Sequence, residues 1–172
     1  MIVSEIGCLD HLVYTAGESL QLGPIADTSV SVARGALELR VWSAFMAIKY
    51  AVPHIHQHGS IVSTSGAAGP RPQAGWSVAA LICSGMEGLA RALAIELAPI
   101  RVNVVRPGVV RSDLWNSFDQ TERGALYETV GAGQPTGRVG EATEVAASYL
   151  YLMASGYSTG SIVTVDGGAV LA

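Results

Sequence analysis

An α/β fold built on a parallel sheet is predicted by three features of this 172-residue sequence. Short β-rich runs alternate with longer segments of helical period, in the order β-α-β-α-β-(long loop)-α-β. Each connection between strands is long enough to cross over, which makes neighbouring strands parallel. The composition is 49% hydrophobic but only 6% aromatic, so the apolar excess lies in small and β-branched residues alongside 20 glycines. Such residues suit buried strands under closely packed helices.

The elements follow in order. HLVYT (11–15) is a first strand, closed by Ala-Gly. From Val30 to Val52 the apolar residues Val32, Ala36, Leu39, Phe45 and Ile48 recur at helical spacing, and Pro53 ends the helix. SIVSTS (60–65) is a second strand, closed by GAAG. A helix over 76–97 follows, its stripe running through Val78, Leu81, Ile82, Gly85, Leu89, Ala92 and Leu93. Only Glu87, Arg91 and Glu96 interrupt it, so most of its surface is expected to be covered. RVNVV (101–105) is a third strand, and a loop with short helical pieces runs from about 107 to 140. A last helix spans 141–155, and SIVTV (161–165) is a fourth strand before Asp-Gly-Gly.

The length is that of a single domain over 1–172, with no internal repeat or linker. A net charge of −4 with scattered basic residues argues against nucleic acid or an anionic membrane as partner. Two cysteines, Cys8 and Cys83, are too few for a disulfide framework and fit a reducing compartment. Neither a signal peptide nor an uninterrupted apolar run of about 18 residues is read, so a cytoplasmic location is expected.

Four punctuation points line up: TAG (15–17), SIVSTSGAAG, VNVVRPG and TGSIVTVDGG. In this order and at these separations they closely resemble the short-chain dehydrogenase/reductase family, whose strands are followed by NAG, a serine-bearing turn, PG and VDGG. GRVGEATEVAASYLYLM is similar to another of its segments, so the likeness covers residues 10–168. The resemblance implies a Rossmann-like sheet with helices on both faces and NAD or NADP as cofactor. It also implies hydride exchange with a carbonyl or alcohol carbon of a small molecule, and a homo-oligomer. By the same resemblance Thr15, Ala16 and Gly17 support the adenosine side of a cofactor site. Pro107, Gly108, Val110 and Ser112 match the segment that meets nicotinamide and phosphate.

Two departures set the functional expectation. The chain starts at the family's fourth strand, so the glycine-rich βαβ half that holds the pyrophosphate is missing from it. The second concerns acid–base chemistry. The family's reaction uses a tyrosine with a lysine four residues on, whose charge lowers the phenol's pKa. Lys49 is the sole lysine here, and no tyrosine has a lysine at that spacing. Ungapped matching puts Ala79 at the tyrosine, Cys83 at the lysine, Gly66 at the substrate-binding serine and Arg40 at the relay asparagine. The expectation is an inactive member or a piece of a longer one. The alternative is a non-catalytic module that associates through the helices at 30–52 and 76–97.

The remaining candidates carry blander readings beside the sharp ones. Ser65 either swings to the vacant hydroxyl position or is a satisfied turn serine. Cys83 reads as a buried thiol, since no nearby group favours thiolate. Trp76 covers the pocket or packs at the helix start. GAGQPTGRVG (131–140) lacks the strand-turn-helix context of a phosphate cradle and reads as a mobile loop. His54, His56 and His58 would share one face of an extended strand, as zinc requires, but no Cys or carboxylate lies nearby in sequence, so no metal site is assigned. Arg40 needs a partner, as a salt bridge or an anion. Trp115, Phe118 and Tyr127 form a lid or close over the core. HLVYT is expected to be an exposed sheet edge, with an apolar patch on the thinly covered face and association rather than an isolated monomer.

Overall fold

A computed structural model describes residues 7–20 and 22–172. Its main sheet has four parallel strands in the order β1-β2-β3-β6, where β1 is Leu9–Tyr14, β2 Ile55–Thr64, β3 Arg101–Pro107 and β6 Ile162–Val165. A second, two-stranded parallel sheet joins β4 (Val110–Arg111) to β5 (Gly140–Glu141). The helices are α1 (Val30–Leu37), α2 (Ser43–Ala51), α3 (Ser77–Glu96), α4 (Gln120–Ala132) and α5 (Ala142–Ala154). The parallel α/β architecture is as the sequence predicts.

Alternation along the strands divides the core into two layers. On one face Ile61, Val102 and Val104 pack against Ile48 of α2 and Ala90, Leu93 and Ala94 of α3. On the opposite face Val62 and Val105 pack against Val145 and Leu152 of α5. α5 is held by Arg101, whose guanidinium donates to Leu152 O and Met153 O, both at 2.8 Å, and so caps the carbonyl end of the helix. Next to it, the Asn103 side chain donates to Ser158 O at 2.8 Å and accepts from Ser161 N at 3.0 Å, fixing the turn that feeds β6. The uncovered patch expected at the sheet edge is present in small measure. β1 pairs on one side only among the described residues, and Val13, in register with Val62 and so on the same face as α5, stands 39% exposed at the sheet edge.

Several details differ from the sequence reading. The helix expected over 30–52 is interrupted by a π-helical segment, Glu38–Trp42. β2 starts at Ile55, five residues early, and its register against β1 shifts between Leu9 and His11. The 107–140 region contains a 3-10 turn at Asp113–Trp115 and α4, which opens on a capping box. There Asp119 accepts from Thr121 N and Glu122 N at 2.8 Å, and Glu122 accepts from Asp119 N at 3.0 Å. GAGQPTGRVG is the end of α4, a turn and β5 rather than a mobile loop. Thr136 N donates to Gly167 O at 3.2 Å, and Arg138 pairs with Glu144 at 2.6 Å. Finally, α3 is the one described helix long and apolar enough to cross a membrane, at mean hydropathy 1.6, where the sequence reading found no such run. In this fold it lies against the sheet, with Val78, Ile82, Met86, Ala90 and Leu93 buried.

Candidate active site

The carboxyl ends of β1 and β2 and the first turns of α3 converge on a cavity of about 40 Å³, lined by Tyr14, Thr15, Ala16, Arg40, Thr64, Ser65, Ile82 and Cys83. Of the four positions matched to the family's reacting groups, Arg40 and Cys83 line it, and Ala79 and Gly66 lie next to Cys83. Ala79 and Cys83, one helical turn apart, are buried against Ala68 under Trp76. A Cβ on Gly66 would stand 3.2 Å from the Cys83 Sγ. Arg40 closes the far wall. The side chains at these positions offer a methyl, a thiol, a hydrogen atom and a guanidinium. Burial, with the nearby Glu87 charge, pushes the Cys83 thiol up to about 11, so it stays protonated at neutral pH. Two tyrosines approach the site and both are engaged: Tyr14 donates to Leu39 O at 2.7 Å, and Tyr149 shares a 2.6 Å bond with Thr64.

Below the cavity sits a buried network that the sequence reading missed. Arg106 of β3 donates to both carboxylate oxygens of Glu87 at 2.8 Å, and also to Thr164 Oγ1 at 3.1 Å. Ser65 donates to Glu87 Oε1 at 2.9 Å, so it is a satisfied turn serine rather than a stand-in for the missing hydroxyl. Burial opposes the Glu87 charge, but the bonds from Arg106 and Ser65 outweigh it and hold the carboxyl below its ordinary value. The sequence did carry a signal for this. Glu87 continues the Ala79–Cys83 stripe by one more turn, and a carboxylate on a buried stripe demands a cation.

Arg40 finds its partner in Glu18. Its Nε lies 3.2 Å from Glu18 Oε1, and its Nη2 also donates to the Glu18 carbonyl. The guanidinium lies flat on Gly17, where a Cβ would stand 2.8 Å from Cζ and from both terminal nitrogens. The π-helical segment gives Arg40 this aim. Within it Leu39 O accepts from Tyr14, and Glu38 O accepts from Ser43 at 2.9 Å, so both carbonyls have side-chain donors.

The 107–112 turn, joined to the turn after β2 by the Ala67 N to Pro107 O bond at 3.0 Å, is tightly built. Gly108 N donates to Val165 O at 3.0 Å, and a Cβ there would collide with Asp166 Cα at 2.8 Å. Val110 pairs with Gly140 in the small sheet, and the exposed Ser112 hydroxyl donates to Val110 O at 3.4 Å. The dinucleotide that the resemblance implies does not fit this conformation. The Gly17 face, which the resemblance assigns to the adenosine side, is taken by Arg40. The space left holds a water or two, against the roughly 300–1,000 Å³ of small-molecule sites.

The other candidates sort quickly. Trp115, Tyr127 and Val139 form a small core of their own that reaches Leu20 and Phe118, and Arg111 stacks 4.6 Å over the Tyr127 ring. His54 ends a 3-10 turn, while His56 and His58 are exposed on β2. No group of three potential metal ligands gathers among the described residues.

Comparison with known proteins places this geometry. A sequence model described as an SDR-like Rossmann domain matches residues 2–172. The chain is 33% identical over 174 residues to "Short-chain dehydrogenase/reductase fsr5" of Gibberella fujikuroi, covering 98% of this chain and 65% of that protein. It is 33% identical over 175 residues to "Carbonyl reductase family member 4" of Xenopus laevis, covering 99% and 70%. It spans 62–65% of the length of four fungal relatives. Among solved structures, a small-chain dehydrogenase in complex with NADPH superposes at a TM-score of 0.96 and is 36% identical, covering 99% of this chain and 78% of the other.

Proposed function

Because the chain belongs to the short-chain dehydrogenase/reductase family, we propose that it carries the substrate-side half of an NAD(P)-linked oxidoreductase whose acid–base pair has been replaced. In this reading the chain retains the strand ends on which relatives exchange hydride with a carbonyl or alcohol, and it does not itself move the accompanying proton. One observation supports the proposal: Cys83 lines the cavity and Ala79 is buried beside it one turn earlier on α3, at the two positions matched to the family's lysine and tyrosine. A methyl has no proton to give, and a thiol held near 11 neither donates readily nor carries the positive charge that would activate a phenol. The two free cysteines support a reducing, cytoplasmic setting.

The test is kinetic. The purified chain is mixed with NADH or NADPH and a panel of ketones and aldehydes, and nicotinamide absorbance is followed. The reading expects no turnover above background, and a rate well above it with either cofactor ends the proposal.

A second reading, association with a second copy, is favoured by the outer surface of the helical layer. Trp42 stacks on Phe45 at 5.3 Å between ring centroids, and Trp42, Leu81 and Ile95 are all more than half exposed. Apolar side chains on both α2 and α3 suit an interface between helices.

A further inference from the structure

The disagreement between the family's ligand and this cavity centres on one side chain. We propose that the Arg40–Glu18 pair is a latch that shuts the site in the free chain and must swing away before anything larger than a few waters enters. The proposal rests on reading the cavity as the family's ligand site.

Three observations carry it. Arg40 both lines the cavity and covers the Gly17 face, so one side chain bounds the space on both sides. Its two bonds to Glu18, one to the carboxylate and one to the main chain, tie the segment after β1 to the π-helical segment. The closure is also a poor permanent plug. The two side chains are 19% and 34% exposed, so water reaches the pair and screens it more than the enclosed Arg106–Glu87 pair. Only Oε1 of Glu18 is engaged, and Oε2 is buried with no partner among the described residues. A contact so weakly held stays closed in the resting state yet opens at modest cost. It also depends on Gly17, because any side chain there occupies the space the guanidinium needs.

Cys83 reports on the latch independently of any ligand, because it lines the same cavity and is buried while the latch is shut. The exposed Cys8 is removed as Cys8→Ser, leaving one thiol in the 172-residue chain. Alkylation by iodoacetamide at about pH 8.5 then measures how often the cavity opens, since a buried group reacts through its open population. Gly17→Ala, which leaves Arg40 and Glu18 in place but blocks closure, is expected to raise the Cys83 rate about ten-fold, and Glu18→Gln by several-fold. Both should melt close to the parent temperature, and Arg91→Ala, on the exposed side of α3, should label at the parent rate. Parent-like labelling in both latch variants overturns the proposal. So does a rise confined to a variant whose melting temperature has dropped, since that reports unfolding. NADPH added to the Glu18→Gln protein, whose Gly17 face stays bare, separates the two ideas: slowed alkylation supports both. Fast alkylation that NADPH leaves unchanged keeps the latch and removes the dinucleotide reading.

Discussion

The Cys83 sulfur fills the space in front of Gly66: a Cβ built on that glycine stands 3.2 Å from Sγ, closer than ordinary van der Waals contact. The two positions are therefore packed against each other. Gly66→Ala is expected to cost about 1 kcal/mol, because the sulfur must shift against a packed helix and that outweighs the entropy gained in the unfolded chain. In a Cys83→Ala background the same change should be neutral or stabilising. A double-mutant cycle by urea denaturation, with a coupling of about 1 kcal/mol, checks this. Independent, additive costs would mean that the sulfur is free to turn aside.

Glu87 and Arg106 make a buried two-pronged pair beneath the cavity, and removing either partner strands the other. Glu87→Ala or Arg106→Ala should each cost about 3–5 kcal/mol, with the double change costing less than the sum. Since the folded carboxyl sits below its ordinary value, its contribution is fully present above the unfolded pKa of about 4.3 and is lost as pH falls through the folded value. Thermal melts from neutral to acidic pH should show parent stability dropping below that point. The Glu87→Gln protein should start lower and lose less. Parallel pH profiles for the two would refute the assignment.

The fold was legible from the sequence because each strand ends on a recognisable stop and each helix has a clean apolar stripe. Ala79, Cys83, Gly66 and Arg40 follow from matching to the family's motifs, and one helical turn is enough to set Ala79 beside Cys83. What was not legible depends on contacts across the chain. The partnership of Glu18 with Arg40 spans 22 residues, and that of Arg106 with Glu87 spans 19. No local pattern pairs them. The π-helical segment was invisible for the same reason: its donors include Tyr14 on β1, 25 residues before Leu39. α4 was missed although Asp119 and Glu122 spell its capping box, because the aromatic residues around it were weighed as a lid.

The π-helical segment makes its own prediction. Tyr14→Phe removes the donor to Leu39 O, and Ser43→Ala the donor to Glu38 O. Each should cost about 0.5–1.5 kcal/mol, read by urea denaturation, as the carbonyl turns back toward water or a regular helical bond. Both changes together should redirect Arg40 and speed Cys83 alkylation in the Cys8→Ser protein at unchanged melting behaviour. An unaltered alkylation rate would show that Arg40 keeps its aim without the segment's side-chain donors.

The outer face of the helical layer gives the last prediction. On α3, Leu81 and Ile95 point outward with Gly85 between them, and a Cβ on Gly85 would meet nothing within 4 Å, so a partner helix can approach closely there. Next to it the Trp42–Phe45 stack offers a flat aromatic surface of the sort that interfaces favour. Sedimentation equilibrium of the chain should therefore report a dimer or larger species. Leu81→Arg or Trp42→Glu should shift it toward monomer by placing an unpaired charge in a desolvated contact. Both side chains are more than half exposed in the single chain, so neither change should lower a monomer's stability by more than about 0.5 kcal/mol. A chain that sediments as a monomer at all concentrations, with melting unchanged by either substitution, would show that this face serves no self-association.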